Sequence, residues 1–305
     1  MTINKILLIG GAGFIGIHTA KILESSGYEV ALVDNFSSSE CDELTKKFRL
    51  YQIDASDLLA LRSAYQDFTP DIVYVFSSVV DVPVTIKNPL TVKSGILSLM
   101  NACELNMDYG VKYTIYASSG YVYGNKNPLP YTERTPLDPV NPYNISKIFC
   151  ENFLDFYSQK YGLDSAIMRY APTYGPRRKI GPIIDFIGKA LNGEQVTLYG
   201  SVTRDYVYVE DVALANLQVL KHMSKGSTLY NIGTGIEFTM EQVYWTICEI
   251  LNCKPRDIIQ NNSNASEINR FFLDCSKARL ELDFKFEHSL RDGLSKTIAW
   301  MQVRK

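Results

Sequence analysis

Lys5-Ile6-Leu7-Leu8-Ile9-Gly10-Gly11-Ala12-Gly13-Phe14-Ile15-Gly16 decides how the rest of the chain is read. Its opening residues are an apolar run of strand length, followed at once by a glycine turn and then by a helical pattern through Leu23. Gly10, Gly13 and Gly16 stand where a dinucleotide fingerprint needs them. The first permits a tight turn, the second lets a pyrophosphate approach the backbone, and the third lets the helix pack closely. A glycine pattern alone is weak, but this one has the strand-turn-helix context and a partner downstream. Tyr28 to Val33 reads as a second strand ending at Asp34. A carboxylate there, about 20 residues on, accepts hydrogen bonds from ribose hydroxyls and repels a 2′-phosphate, so NAD is expected rather than NADP. His18, on the intervening helix, reads as a packed histidine and not a catalyst.

The alternation continues outward. Leu50 to Ile53 reads as a third strand, with Asp54 at its end either to meet an adenine amine or to cap a helix; Asp57 is the better cap. Asp71 to Phe76 is a fourth strand ending in Ser77-Ser78, and after a helical stretch from Pro89 to Asn106, Lys112 to Tyr116 is a fifth ending in Ala117-Ser118-Ser119. Strands apolar on both faces, alternating with helices, predict an α/β fold with a Rossmann-type doubly wound parallel sheet. Ligands of such sheets bind beyond the carboxyl ends of the strands, where Gly10, Asp34, Asp54, Ser77 and Ser119 all fall. From Gly200 onward short strands and helices mix without a fingerprint, which suggests a smaller α/β substrate lobe interleaved with the sheet. The expected division is 1–170 for the dinucleotide, with returning segments near 205–235, and 171–305 mainly for substrate. The polar run Asn261 to Ser266 reads as a mobile loop.

Composition narrows the partners. The chain has 305 residues, 46% hydrophobic and 21% charged, with a formal net charge of -2. It lacks a long Lys/Arg run, so neither nucleic acid nor an anionic membrane surface is an expected partner. No segment approaches the roughly 20 apolar residues of a membrane span. The run Ile6 to Ile9 is followed by glycines rather than a cleavage site, unlike a signal peptide. Six scattered cysteines without a Cys-x-x-Cys fit reduced thiols in a cytoplasmic protein, and three distant histidines give no expectation of a metal site.

The stretch Asn141-Pro142-Tyr143-Asn144-Ile145-Ser146-Lys147 carries the chemistry. Asn141 fits an N-cap and Pro142 the first helical position, so Tyr143 and Lys147, at i and i+4, share one face in the opening turns of a helix reaching Tyr161. A free phenol, with a pKa of about 10, is a poor base at neutral pH. A neighbouring cation, which Lys147 could supply, favours phenolate.

Taken together, Gly10 to Gly16, Asp34-Asn35-Phe36-Ser37, Ser118-Ser119-Gly120-Tyr121-Val122-Tyr123-Gly124, Pro142 to Lys147 and Arg169-Tyr170-Ala171-Pro172-Thr173-Tyr174-Gly175-Pro176 come in the order and spacing of the extended short-chain dehydrogenase/reductases. More narrowly the chain resembles the NAD-dependent nucleotide-sugar epimerases and dehydratases; Thr203 to Val212, Tyr230 to Gly235 and Asp274 to Ala278 resemble that family's later blocks. The resemblance implies a catalytic trio of Ser119, Tyr143 and Lys147, with Lys147 also holding the nicotinamide ribose. It implies cofactor contacts from Phe14, Ile15, Asn35, Ser37 and Ala55 in addition to Gly10, Gly13, Gly16, Asp34, Asp54 and Ser77. It places Ser119, Gly120, Tyr121, Arg204 and Arg270 toward the nucleotide-sugar substrate, the two arginines on its diphosphate, a task for which the guanidinium fork is suited. Relatives dimerise through the Tyr-x-x-x-Lys helix and the helix before it, so a homodimer is expected; Leu97, Leu99, Met100, Phe149, Phe153 and Phe156 could line that bundle or belong to the core.

Among the reactions of the resembled family, dehydratases carry Asp and Glu directly after the catalytic hydroxyl residue. Here those positions are Gly120 and Tyr121. Decarboxylating relatives carry Glu at the second position, and relatives that epimerise at C3 and C5 carry Cys there. What remains is the minimum for reversible hydride transfer at a carbinol. The expectation is therefore NAD-dependent epimerisation at C4 through a transient 4-keto sugar; a one-way reductase or dehydrogenase and a non-catalytic NAD-binding protein are the alternatives. Val75-Phe76-Ser77-Ser78, Val92 and Pro172 depart from the family pattern and leave the identity of nucleotide and sugar open. Phe271 is expected near the gate for an N-acetyl group, and its bulk suggests an unacetylated sugar.

Overall fold

The structure is a computed structural model that describes residues 3–78, 81–199, 202–255, 258–261 and 269–303. Strands β1 (Lys5–Ile9), β2 (Glu29–Val33), β3 (Arg49–Tyr51), β4 (Ile72–Val75), β5 (Tyr113–Ser119) and β6 (Ser165–Tyr170) are joined by a seventh, Ser227–Ile232. Their order is Ser227–Ile232, β6, β5, β4, β1, β2, β3, and every pairing is parallel. The order reverses at β1/β4, and the crevice opens there, beyond the carboxyl ends of the strands. Ile6, Leu8, Ile72, Tyr74 and Ile115 fill one face of the sheet while Leu7, Ile9, Val73, Val75 and Tyr116 fill the other, which is why the strands read as continuous apolar runs.

Local chemistry sets the helix boundaries. Asp57 caps α2 (Leu58–Phe68), its carboxylate accepting from the backbone N–H of Leu59 and Ala60 at 2.9 and 3.1 Å. Asn141 caps the helix Pro142–Tyr161 by accepting from Asn144 N at 2.9 Å, with Pro142 in the first turn. Ahead of it, the helical pattern expected from Pro89 onward resolves into a 3-10 turn, Pro89–Val92, and a helix, Lys93–Asp108.

Beyond β6 the chain alternates between layers. The helix Val209–Lys221 packs on α1 (Phe14–Ser25), and Ser227–Ile232 closes the sheet. Helices Pro182–Asn192, Met240–Ile250 and Leu290–Val303 enclose a separate core around Phe186, Val243, Tyr244 and Leu294. Short two-stranded ladders stitch the two parts: Thr173–Tyr174 with Val207–Tyr208, and Thr203–Arg204 with Phe238–Thr239. Residues 262–266 of the polar run, and Gly200 and Ser201 of the turn before Arg204, lie outside the described residues. Among the described residues no helix is long and apolar enough to cross a membrane.

Candidate active site

A cleft of about 680 Å³ runs along the carboxyl edge of the sheet. Every residue read from the sequence as cofactor-facing lines it, from Gly10, Gly13, Phe14, Ile15 and Gly16, through Asp34, Asn35, Ser37, Asp54, Ala55 and Ser77, to Tyr143 and Lys147. The glycine turn is tight for physical reasons. Gly10 has φ +75°, and a Cβ there would stand 2.6 Å from Ser77 N, while a Cβ on Gly16 would stand 2.7 Å from Gly10 O. Asp34 braces this cradle: one carboxylate oxygen accepts from Ala12 N at 3.0 Å, the other from Phe36 N at 2.9 Å and Ser39 Oγ at 2.7 Å. Asp54 accepts from Asn35 Nδ2 at 3.0 Å and from Ser56, and so faces the cleft while Asp57 does the capping. The Ser77 Oγ, on the cleft wall, is buried with no hydrogen-bond partner among the described residues. A close-approach cradle, a carboxylate at the end of β2 and an orphaned hydroxyl on the wall fit a dinucleotide.

At the far end the reactive groups converge. Tyr143 and Lys147 are both buried on the inward face of their helix. Lys147 Nζ donates to the Ala117 carbonyl at 2.6 Å and lies 4.9 Å from the Tyr116 ring centroid and 5.6 Å from that of Tyr143. Burial pushes its pKa down to about 8, with the neighbouring Glu151 carboxylate opposing the shift. Burial pushes the Tyr143 phenol up, and a hydrogen bond with Ser119 together with the positive charge of Arg178 oppose it. The Lys147 ammonium thus stays beside the Tyr143 ring while its hydrogen bond goes to a backbone carbonyl.

Ser119 ends β5 and accepts from Tyr121 N at 3.2 Å. Gly120 is required by its neighbour, since a Cβ would meet Phe271 Cζ at 2.6 Å. Phe271 is fully buried and packs edge-on against Tyr121 and Tyr131 at centroid distances of 5.0 and 5.8 Å. The expected gate residue is thus a wall behind Gly120. Ser119, Gly120, Tyr121, Arg204 and Arg270 are not among the residues lining the dinucleotide cleft. Arg204 is buried and donates to Tyr121 Oη at 3.1 Å and to the Thr203 carbonyl at 2.7 Å. Arg270 is exposed and forms a two-point ion pair with Glu237 at 2.9 and 2.6 Å.

Sequence reading missed two groups. Behind the end of β5, Ser118 donates to Glu151, which also holds Arg169 Nε at 3.0 Å and its outer nitrogen at 2.5 Å, all buried. Glu151 sits one turn beyond Lys147, and that spacing was the available signal. Arg177, Arg178 and Lys179 also line the cleft; their adjacency was visible, their destination was not. His18, as expected, is packed: Nε2 lies 3.0 Å from the Pro176 carbonyl, and burial lowers its pKa to about 4.

A doubly wound sheet, a glycine cradle and a strand-end carboxylate define a dinucleotide-binding α/β protein. The comparisons narrow this class. The model of the NAD dependent epimerase/dehydratase family matches residues 6–233. The chain is 32% identical to the putative UDP-glucose 4-epimerase of Methanocaldococcus jannaschii, over 97% of this chain and 98% of that protein. Among solved structures it is similar to the UDP-glucose 4-epimerase of Thermotoga maritima with UDP-glucose (30% identity, TM-score 0.94, 98% and 99% of the two chains). It is similar also to that of Thermus thermophilus in complex with NAD (29% identity, TM-score 0.89, 98% and 99%). The chain belongs to the NAD-dependent epimerase/dehydratase family.

Proposed function

We propose that the chain interconverts the C4 epimers of a nucleotide-linked sugar through a transient 4-keto form, with NAD retained between the two half-reactions. NAD, when bound, accepts and returns the hydride, and in its oxidised form brings a positive ring to the site. The remaining work falls to side chains. Ser119 holds the C4 hydroxyl, Tyr143 takes its proton and later gives it back, and Lys147, anchored on Ala117, keeps N–H donors for the nicotinamide ribose. Gly10 to Gly16 hold the pyrophosphate, and Asp34 the adenosine ribose. Arg204 contacts the substrate diphosphate, and Arg270 exchanges Glu237 for it. In this reading 1–170 and the returning segments near 205–235 carry the dinucleotide, and 171–305 mainly the sugar nucleotide.

The observation that carries the reading is the pair of residues directly after Ser119. Gly120 is packed against Phe271 and Tyr121 is engaged with Arg204, so neither position offers the acid or base that loss of water demands. A UDP-sugar is the substrate class, in line with the names of the relatives. We further propose a cytoplasmic homodimer built on the Tyr143 helix. Phe149 and Phe156 are 42% and 52% exposed on it, whereas Leu99 of the preceding helix is fully buried core. The test is mass spectrometry of what the purified, denatured protein releases, joined to assays of Tyr143→Phe on UDP-glucose and UDP-galactose. NAD in the released fraction and loss of interconversion in the variant are expected; a Tyr143→Phe protein matching wild type would end the catalytic reading.

A further inference from the structure

The segment after β6 crosses the mouth of the cleft carrying three consecutive cations, and they do not face the same way. Arg177 reaches Asp42 at 2.6 Å and Lys179 reaches Glu40 at 3.3 Å, both on the loop that follows β2. Ser37 to Glu40 from one side and Arg177 to Ile180 from the other line the same cleft, so these two ion pairs close its rim. The inner pair is protected, with side-chain exposures of 14% for Arg177 and 26% for Asp42. Asp42 is held by its own turn as well as by the arginine, because its other oxygen accepts from Leu44 N and Thr45 N at 3.2 and 3.1 Å. At the root of the segment, His18 of α1 meets the Pro176 carbonyl.

Arg178, between the two latches, lines the interior. Its guanidinium lies 5.4 Å from the ring centroid of Phe14, the first residue of α1, beside the glycine turn where a pyrophosphate meets backbone N–H groups. Its Nε donates to the Ile180 carbonyl at 2.9 Å, and among the described residues it enters no ion pair. The charged and titratable groups that face it are Tyr143, Tyr121, Asp81 and Tyr206. A half-buried guanidinium on the cleft wall beside the glycine turn, in no ion pair among the described residues, is suited to a diphosphate.

We propose that Arg177-Arg178-Lys179 is a cofactor-retention strap: Arg177 and Lys179 latch it to Asp42 and Glu40, and Arg178 binds the dinucleotide diphosphate from above. The inference rests on the reading that NAD occupies this cleft and adds what keeps it there. Retention matters because a hydride that must return to the same sugar needs a cofactor that outlasts the keto stage. The latch is insensitive to pH near neutrality. Burial raises the Asp42 carboxyl, but hydrogen bonds from Arg177 and the Thr45 and Leu44 backbone outweigh this and hold it down to about 2.

The test follows NAD release. Wild type, Arg177→Gln, Asp42→Asn, the double variant, Arg178→Gln and the outer-latch variant Lys179→Gln are loaded with NAD and passed into NAD-free buffer. Bound NAD is then measured over time by chromatography after denaturation, with circular-dichroism melts as the fold control. Each inner-latch single variant should release NAD about five- to tenfold faster, and the double variant no faster than either, since one pair is lost in all three. Arg178→Gln should lower NAD affinity, and Lys179→Gln should speed release by less than Arg177→Gln because its pair is exposed. Wild type that holds NAD while Arg177→Gln and Lys179→Gln release it at the wild-type rate would overturn the strap and leave the cofactor reading standing. Wild type that retains no NAD would overturn both. Should Asp42→Asn misfold through loss of its own turn, the Arg177 and Lys179 variants still decide the matter.

Discussion

Lys147 donates its ammonium proton to the carbonyl oxygen of Ala117 at 2.6 Å, and not to the phenol of Tyr143 one helical turn before it. Burial has moved the two groups in opposite directions, the phenol up and the ammonium down to about 8. In the free protein at neutral pH the phenol is therefore protonated. The oxidised cofactor adds positive charge beside it, so NAD binding should ease phenolate formation. Difference absorbance of wild type against Tyr143→Phe, titrated with and without NAD, should place the phenolate transition lower in the complex. An unchanged transition would detach the phenol from the cofactor.

The same geometry predicts a conflict between stability and function at Lys147. Its pKa is depressed in the fold, so the unfolded chain binds more protons between about pH 8 and the ordinary lysine value, and stability contributed by this group rises with pH across that window. At pH 7 the buried charge is a cost. Lys147→Met should melt no lower than wild type at pH 7, and higher by a few degrees if the packing closes, while losing interconversion. A marked fall in melting temperature would mean that the ammonium–Ala117 contact outweighs desolvation.

Glu151 is the opposite case, because it is buried and binds two partners, Ser118 and Arg169. Glu151→Gln leaves Arg169 charged and unpaired in the core and should destabilise by about 3–5 kcal/mol. A shift of the urea midpoint at constant slope would measure it. A loss under about 1 kcal/mol would show that Arg169 finds another acceptor.

Gly120 tests the choice among reactions. An aspartate there, the residue of the dehydratases it resembles, would drive its Cβ into Phe271. Gly120→Asp should lower stability by about 1–3 kcal/mol and confer no dehydration, and pairing it with Phe271→Ala should recover part of the loss. Dehydrated product from the single variant would show that the acid, and not the surrounding space, was all that was missing.

Much of this was legible because it is local. The strand, turn and helix from Lys5 to Ser25, the cap by Asp57 and the Asn141-Pro142 helix start are each dictated by residues within one or two turns. Gly10, Asp34, Asp54 and Ser77 line the cleft from just beyond strand ends, and strand ends can be counted from the apolar runs. What could not be read is long-range. Nothing local says that Arg177 will find Asp42, that Arg169 will meet Glu151 across the β5 edge, or that Lys147 will prefer a carbonyl to its neighbour's phenol. Leu99 and Phe149 look alike as letters, yet one is core and the other half-exposed, because helix faces are assigned only when the sheet is in place.

The central claim is that hydride leaves C4 and returns to C4 on a cofactor that never departs. It is tested most directly by incubating the purified protein, without added NAD, with a UDP-hexose carrying deuterium at C4. The account predicts equilibration of the two C4 epimers with the deuterium kept at C4 of the product and no accumulation of free reduced cofactor. Deuterium lost to solvent, or conversion that proceeds only with stoichiometric NAD, would contradict it.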